Sequence, residues 1–168
     1  LYKLVYKGFE EELVDGNMTE VSNSIVTYNI ATGDKNVLRE SVEDEDYYDD
    51  PKLSPDGEFI AFEYNGAIKI MRYDGSEEKQ ICGYTAGDYS FSPDSKKLLY
   101  GEYDYPDKSI QTYNLETEEF ETLIDSDKLL ENDIDYFYGQ NWNENGSKIV
   151  FRAYIPDDET ALFVMDAD

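Results

Sequence analysis

Carboxylate side chains are the most abundant groups in this sequence that could do chemistry, and they are densest in residues 43–50. That segment reads Glu-Asp-Glu-Asp-Tyr-Tyr-Asp-Asp. Calcium binds about six to eight oxygen ligands, which such a loop can supply. The spacing is not the Asp-x-Asp-x-Asp-Gly of an EF-hand loop, so a solvated acidic loop is the alternative. The candidate calcium ligands are Asp44, Asp46, Asp49 and Asp50.

Catalysis that depends on histidine is excluded, because the sequence contains no histidine. Ser-His-Asp and Cys-His catalysis and histidine-based metal sites all need that side chain. Neither a Gly-x-Ser-x-Gly turn nor a phosphate-binding glycine loop is present. Cys82 lies in an apolar strand and is expected in the core rather than as a nucleophile. We therefore predict a chain that is not an enzyme and has no cofactor apart from calcium.

The charge balance restricts the partners. The sequence has 14 Lys and Arg against 39 Asp and Glu, a net charge of −25. This surface repels the phosphates of nucleic acids and of anionic membranes. No apolar run approaches the roughly 20 residues that span a bilayer. We expect a protein partner or a small ligand, with no nucleic acid and no membrane insertion.

The elements that carry these groups follow from an internal repeat. Residues 53–62, 91–100 and 142–151 align without gaps. Each segment has a large apolar residue, a tight polar turn and an apolar strand. Proline presets φ, aspartate binds its own backbone, and Gly57 and Gly146 can take positive φ. The residues expected at equivalent buried positions are Leu53, Phe91 and Trp142.

Further strands complete each repeat. Four short strands with intervening turns are typical of a β-propeller blade. We predict an all-β fold that forms a single partial propeller domain over residues 1–168. Its four blades should contain three, four, four and three strands in chain order. The approximate blades are 1–41, 49–83, 87–124 and 136–168. Insertions are expected to form loops, one of them from Glu10 to Ser24, and a helical turn is expected around residues 128–130.

The repeat also resembles a known family. The Ser-Pro-Asp-Gly turn at 54–57, the Phe-Ile-Ala-Phe strand at 59–62 and the strand that follows at 68–76 resemble the WD40-like (PD40) repeat of the TolB family. The same repeat builds the propellers of prolyl-oligopeptidase-type and tricorn-type peptidases. The resemblance covers essentially the whole chain and is weakest at 142–168, where the turn is Asn-Glu-Asn. It implies an extracytoplasmic location.

Propellers of this family have about six blades or more, so the resemblance implies a piece of a larger ring. Both end blades are predicted to be incomplete, which would leave apolar side chains uncovered. Exposed apolar patches attract partners. We therefore expect either a longer chain or the association of two copies through these ends. The residues expected to be partly uncovered are Tyr2, Leu4, Tyr6, Leu162, Val164 and Met165.

The innermost strand of each blade lines the central channel of a propeller. Side chains that alternate with the aligned apolar residues should face that channel. The alternative is that these positions contact only water. The candidate channel-lining residues are Asp50, Lys52, Asp88, Ser90 and Asn141, with Gly139 at the remaining aligned position.

The predicted function is that of a non-catalytic propeller that serves as an interaction platform. Two alternatives stay open. One is the substrate-gating propeller of a larger peptidase. The other is a carbohydrate-active propeller with paired acids, which the 39 acidic residues would also produce by chance. The fold itself does not choose among them, because propellers host many functions.

Overall fold

The computed structural model describes residues 3–15, 17–41, 46–104, 107–156 and 159–167. In these ranges the chain forms 14 β-strands and one short helix, with the strands arranged in four sheets. The predicted all-β class and strand numbers are therefore confirmed. The sheets belong to two compact units, Leu1–Ile81 and Cys82–Asp168.

The first unit contains the first two sheets. Its strands are β1 (Lys3–Val14), β2 (Asn17–Asn29), β3 (Lys35–Glu40), β4 (Tyr48–Leu53), β5 (Phe59–Tyr64), β6 (Ala67–Arg72) and β7 (Lys79–Cys82). Their order is β1-β2-β3 in one sheet and β4-β5-β6-β7 in the other. The core draws on both sheets and is formed by Ile25, Tyr48, Ile60, Phe62 and Met71. Cys82, at the end of β7, is buried as predicted.

The second unit contains the other two sheets. Its elements are β8 (Thr85–Phe91), β9 (Lys97–Asp104), β10 (Asp107–Asn114), β11 (Phe120–Ile124), α1 (Ser126–Glu131), β12 (Tyr136–Trp142), β13 (Lys148–Ile155) and β14 (Glu159–Asp166). The sheet orders are β11-β10-β9-β8 and β12-β13-β14. Side chains from both sheets and from α1 share one core, which includes Leu99, Ile110, Leu129, Phe137 and Phe151.

Side-chain hydrogen bonds close the repeated turn between the first two strands of a sheet. The Ser54 hydroxyl donates to the Asp56 carboxylate at 2.6 Å and accepts from the Phe59 N–H at 2.9 Å. Ser92 and Asp94 repeat the first bond at 2.6 Å in the next sheet. These bonds satisfy backbone groups that have no ladder partner in the turn. The Ser-Pro-Asp pattern therefore acts through local chemistry.

The last copy of the turn keeps this chemistry with different residues. Asn143 Oδ1 accepts from the Lys148 N–H at 2.9 Å, as the serine hydroxyl does in the other copies. Asn145 Oδ1 accepts from the Ser147 N–H at 3.0 Å, as the Asp56 carboxylate accepts from the Glu58 N–H. An amide oxygen offers the same lone pairs as a hydroxyl or a carboxylate oxygen. The departure from the family pattern therefore preserves the turn.

The aligned large apolar residues are equivalent, but they are not buried. Each pairs directly with a residue that is 0% exposed, while it is itself only half-buried. The expectation of full burial was wrong because these residues lie on the innermost strand, which has a hydrogen-bonded neighbour on one side only. The pairs are Leu53 with Ile60, Phe91 with Leu98 and Trp142 with Ile149.

The insertion in the first sheet is not the loop that we expected. β1 and β2 continue through it as a long hairpin, paired as far as Val14 with Asn17. A bulge between Glu10 and Glu11 shifts the register. The expectation failed because a hairpin can lengthen beyond its sheet while each strand satisfies the other. The Asp-Gly at 15–16 is a sequence signal for a tight hairpin turn, and Asp15 has a φ of 51°.

The predicted helical turn is present as α1. The Asp125 side chain accepts a hydrogen bond from the Lys128 N–H at 2.9 Å and so caps the helix. Leu129 is buried against the core of its unit. No helix in the described ranges is long and apolar enough to cross a membrane.

Replacing Glu118 by glycine should raise the free energy of unfolding by about 0.5–1 kcal/mol. The β2–β3 and β10–β11 turns share one geometry. Gly33 has a φ of 80° and donates to the Asn29 carbonyl at 2.8 Å, while Glu118 has a φ of 61° and donates to the Asn114 carbonyl at 2.9 Å. Positive φ is costly for glutamate and not for glycine. Urea unfolding measures the change.

The reciprocal variant Gly33→Glu is the matched control and should lower the free energy of unfolding. A loss of stability in Glu118→Gly would show that backbone strain is not the dominant energy at this turn.

Candidate functional site

The acidic segment predicted to bind calcium is engaged with other side chains. Asp44 lies outside the described residues. The Tyr64 hydroxyl donates to Asp46 Oδ1 at 2.5 Å. Asp49 accepts from the Tyr47 hydroxyl at 3.1 Å. These bonds tie two carboxylates to tyrosines of the second sheet.

Two lysines lie beside Asp49 and Asp50. Lys7 Nζ lies 3.7 Å from Asp49 Oδ1, and Lys52 Nζ lies 2.8 Å from Asp50 Oδ2. Among the residues that the structure describes, no three His, Cys, Asp or Glu side chains are grouped to hold a metal ion. A calcium site that includes Asp44 stays a prediction.

The Tyr64–Asp46 bond should make stability fall in alkaline solution. The hydrogen bond to Asp46, with burial, raises the pKa of Tyr64 to about 12, whereas an unfolded tyrosine titrates near 10. The bond therefore stabilises the fold fully below about pH 10, and this contribution is lost as the pH rises towards 12. The difference in unfolding free energy between the wild type and Tyr64→Phe should shrink over that interval.

Urea midpoints of both proteins at pH 7, 9, 10 and 11 would measure this difference. A difference that stays constant or grows with pH would contradict the assignment. Tyr28→Phe, which removes a hydroxyl from a half-buried tyrosine of β2, is the control.

The innermost strands share an irregularity that sequence alternation did not predict. A bulge interrupts each of them, between Asp49 and Lys52 in β4, Thr85 and Tyr89 in β8, and Tyr138 and Asn141 in β12. Asp50 and Gly139 lie in two of the bulges, with φ of 43° and 69°. These bulges add one residue in β4 and in β12 and two in β8, and they redirect the side chains around them. The alternation of side chains between the two faces of β4 therefore holds for Lys52 and Leu53. It does not fix the face of Asp50, which lies in the bulge.

The predicted channel residues of the second unit lie on two neighbouring strands. The Ser90 hydroxyl on β8 donates to the Gln140 carbonyl on β12 at 3.3 Å, and Trp142 Nε1 donates to the Ser90 carbonyl at 3.3 Å. Asp88 and Asn141 are exposed, and Ser90 is half-buried. Asp50 and Lys52 belong to the first unit. Their role as a channel lining stays a prediction.

In each of three sheets, tyrosines lie at the same end, a feature that sequence analysis missed. At this end the first strand of each sheet begins and the second strand ends. Hydrogen bonds or ladder pairs join these positions across the two strands. The sequence did contain a signal for it, since a tyrosine lies near the start of the first strand and near the end of the second strand in each of these sheets. We call this set the tyrosine end: Tyr47, Tyr48, Tyr64, Tyr84, Tyr103, Tyr136 and Tyr154.

The tyrosine end combines exposed rings with neutral hydroxyls. Tyr84 is 65% exposed, Tyr136 41% and Tyr154 44%. The rings of Tyr136 and Tyr154 lie 6.0 Å apart. The nearby Tyr138 hydroxyl raises the pKa of Tyr154, and burial raises that of Tyr103 to about 12, so both stay uncharged at neutral pH. Such rings offer apolar area and hydrogen bonds together.

Ammonium groups already lie on rings of the tyrosine end. Lys7 Nζ is 4.4 Å from the Tyr47 ring centroid, and Lys69 Nζ is 3.9 Å from that of Tyr64. Cations are attracted to the negative face of an aromatic ring. The faces of these tyrosine rings therefore attract basic side chains.

Most of the side chains expected to be partly uncovered near the chain ends are exposed in the structure. Four of them are exposed by between 39% and 66%: Leu4, Tyr6, Leu162 and Val164. Tyr2 lies outside the described residues. Met165 is half-buried and packs against the core of its unit. It is less exposed than Val164 because successive residues of β14 point to opposite faces.

Comparisons with known proteins bear on the fold. No protein-family model matches the chain, and no curated protein matches it. Solved structures do. An oligogalacturonate lyase from Vibrio parahaemolyticus is similar with a TM-score of 0.67 and 19% identity, over 99% of this chain and 48% of that one. TolB from Acinetobacter baumannii is similar with a TM-score of 0.62 and 17% identity, over 89% of this chain and 38% of that one.

The β-propeller domain of the Trilobed protease from Pyrococcus furiosus gives a TM-score of 0.64 and 19% identity, over 97% of this chain and 50% of that one. The chain therefore spans half or less of the length of these three structures. At this level of identity, such likenesses establish the fold alone. Together with the repeated sheets, they show that this chain is built of β-propeller blades.

Proposed function

We propose that this chain is a non-catalytic propeller segment that binds a basic protein through the tyrosine end. The observation that carries the proposal is the recurrence of exposed tyrosines at the same end of three sheets. Tyrosine is enriched at protein interfaces and among the residues that contribute most to binding. The same chemistry therefore recurs with the blade repeat in each unit.

The charge of the partner follows from the surroundings of these rings. Asp46 and Asp49 lie against Tyr64 and Tyr47, and the chain as a whole has a net charge of −25. Opposite charges speed encounter and suppress partners of the same charge. Lysine and arginine side chains can bind both the carboxylates and the ring faces. A basic partner is therefore favoured over an acidic one.

Selection from a random-peptide display library tests this proposal. The wild-type chain should enrich peptides that contain lysine or arginine. A variant with Tyr84, Tyr136 and Tyr154 all changed to serine should bind those peptides at least about tenfold more weakly. Circular dichroism of the variant would confirm that it remains folded.

The matched control changes three exposed apolar residues away from the tyrosine end. Ile30, Val37 and Phe120 flank the β2–β3 and β10–β11 turns and are 53%, 53% and 54% exposed. Changing them to serine should leave binding within about twofold, since exposed contacts outside an interface contribute little. The proposal fails if no sequence is enriched, or if the two triple variants behave alike.

The enzyme alternatives have less support from the residues. The sequence contains no histidine, and the described part of the chain groups no three potential ligands for a metal. Assays for hydrolysis of peptides and for cleavage of glycans test the two alternatives directly. The triple variant Tyr84→Ser, Tyr136→Ser and Tyr154→Ser is assayed beside the wild type. Equal turnover of a peptide or a glycan by both proteins would favour an enzyme over an interaction platform.

A further inference from the structure

The β1–β2 hairpin extends beyond the sheet to which it belongs. The ladder between β2 and β3 ends at Ser24, which lies opposite Glu40. β1 and β2 continue past that point as a two-stranded ribbon, in which six residues of β1 pair with β2. Six residues of a strand span about 20 Å. We call residues 9–15 and 17–23 the hairpin arm.

One face of the hairpin arm continues the face that β1 and β2 turn towards the second sheet of their unit. Asn23 Oδ1 accepts from the Tyr48 N–H at 2.7 Å, and Lys7 Nζ donates to the Tyr47 hydroxyl at 2.9 Å. Phe9 lies opposite Asn23 and two residues after Lys7, so it shares their face. Because β4 begins at Tyr48, the arm reaches beyond the end of the second sheet.

This face carries three exposed apolar side chains. Phe9 is 59% exposed, Leu13 71% and Met18 62%. Leu13 pairs directly with Met18, and the extra residue of the bulge after Glu10 belongs to β2. The alternation of β1 is therefore unbroken, and Phe9 and Leu13 lie on one face. Single exposed apolar residues are common, but three on one face of a ribbon form a patch of the kind that marks an interaction surface.

The charge around this patch favours one class of partner. Glu11 lies between Phe9 and Leu13 on the same face of β1. The sequence has no lysine or arginine from residue 8 to residue 34. A second copy of this chain, with its own charge of −25, would be repelled, whereas a basic partner would be attracted. The exposed carboxylates of the arm are Glu10, Glu11, Glu12 and Asp15.

We propose that the apolar face of the hairpin arm binds an extended segment of a partner protein, in which apolar residues are flanked by lysine or arginine. The apolar side chains of the segment cover Phe9, Leu13 and Met18. Its long basic side chains reach from the apolar surface to the carboxylates of the arm. The arm shares no residue with the tyrosine end. The proposal therefore goes beyond the proposed function and can fail independently of it.

Titration with two synthetic peptides tests the proposal. The first is Lys-Lys-Leu-Ser-Phe-Ser-Leu-Lys-Lys, whose two leucines are four residues apart, as Phe9 and Leu13 are. The second has serine in place of the three apolar residues and carries the same charge. The first should bind and shift the amide resonances of Phe9, Leu13 and Met18. The second should bind at least about tenfold more weakly, because it buries little apolar area.

Two triple serine variants locate the binding surface. The arm variant, Phe9→Ser with Leu13→Ser and Met18→Ser, should bind the first peptide at least about tenfold more weakly. The matched control should change binding by less than about twofold, since its residues are exposed but lie outside the arm. Circular dichroism and urea midpoints would confirm that both variants fold. The control changes Ile30, Val37 and Phe120 to serine.

Two charge-matched variants separate local from general attraction, and both keep the apolar face of the arm. Glu10→Gln, Glu11→Gln and Glu12→Gln together should weaken binding of the first peptide about fivefold. Removal of the same charge around α1 should change binding by less than about twofold. All the substituted residues are exposed, and the second variant carries Asp127→Asn, Glu131→Gln and Asp133→Asn.

Several results would overturn the proposal. The first peptide might show no binding, or the two peptides might bind equally, which would leave charge as the only attraction. Equal weakening by the two charge variants would have the same meaning. Dimerisation that the arm variant abolishes would make a second copy the occupant. Binding to phosphatidylcholine vesicles that the arm variant abolishes would make it a lipid surface.

One further result separates this proposal from the proposed function. The triple variant Tyr84→Ser, Tyr136→Ser and Tyr154→Ser is titrated with the first peptide beside the arm variant. Weaker binding by the tyrosine variant alone would place the peptide at the tyrosine end. That result would overturn the role of the hairpin arm and leave the proposed function standing. Weaker binding by the arm variant alone supports the arm as a separate binding surface.

Discussion

Replacing Phe137 by alanine should lower the free energy of unfolding by about 3–5 kcal/mol, the largest stability change that we expect from a single substitution. Phe137 is 0% exposed. Its ring is stacked on that of Tyr103 at 5.8 Å and meets the Phe151 ring edge-on at 6.3 Å. Alanine would leave a cavity between the two sheets of the second unit, because aromatic neighbours of this size cannot close it fully.

The adjacent residue provides the control. Tyr136 lies on the opposite face of β12 and is 41% exposed, so Tyr136→Ala should cost less than about 1 kcal/mol. Urea unfolding followed by tyrosine fluorescence measures both variants. Similar effects at the two positions would contradict the assignment of faces on β12. A small effect at Tyr136 would also show that the tyrosine end can be altered without loss of the fold.

The repeated turn was predictable from sequence because its causes are local. The bonds that close it join residues two to five positions apart, such as Ser54 with Asp56 and Phe59. Even the divergent copy at Asn143 was aligned correctly, since its asparagines accept the same backbone hydrogen bonds. A pattern whose partners lie within one turn can be read from a short window of sequence.

The candidate site was less predictable because its contacts are long-range. The charge on residues 43–50 was evident, but the partners of its carboxylates were not. Tyr64 is 18 residues from Asp46, and Lys7 is farther still from Asp49. Sequence alternation also cannot reveal a bulge. In β4 the local sign is Pro51 beside Asp50, because proline within a sheet occurs at edge strands and bulges. Tertiary pairing, rather than composition, decides what each acid does.

Replacing Asn23 by alanine should lower the free energy of unfolding by about 2 kcal/mol. Asn23 is 5% exposed and joins the two sheets of the first unit. Its Oδ1 accepts from the Tyr48 N–H at 2.7 Å, and its backbone exchanges bonds with Ser41, including one from the Ser41 N–H at 2.8 Å. Alanine removes the side-chain acceptor and leaves a buried N–H at the start of β4 unsatisfied.

The effect should extend to the tyrosine end, because Tyr48 contacts Tyr64 with ring centroids 5.2 Å apart. The same substitution at Asn36, an exposed residue of β3, is the matched control and should change the free energy of unfolding by less than about 0.5 kcal/mol. Urea unfolding compares the two variants, and the amide resonance of Tyr48 reports the lost bond. A wild-type-like midpoint for Asn23→Ala would mean that water or another acceptor replaces the amide oxygen, and that the first two sheets are held together by their apolar core alone.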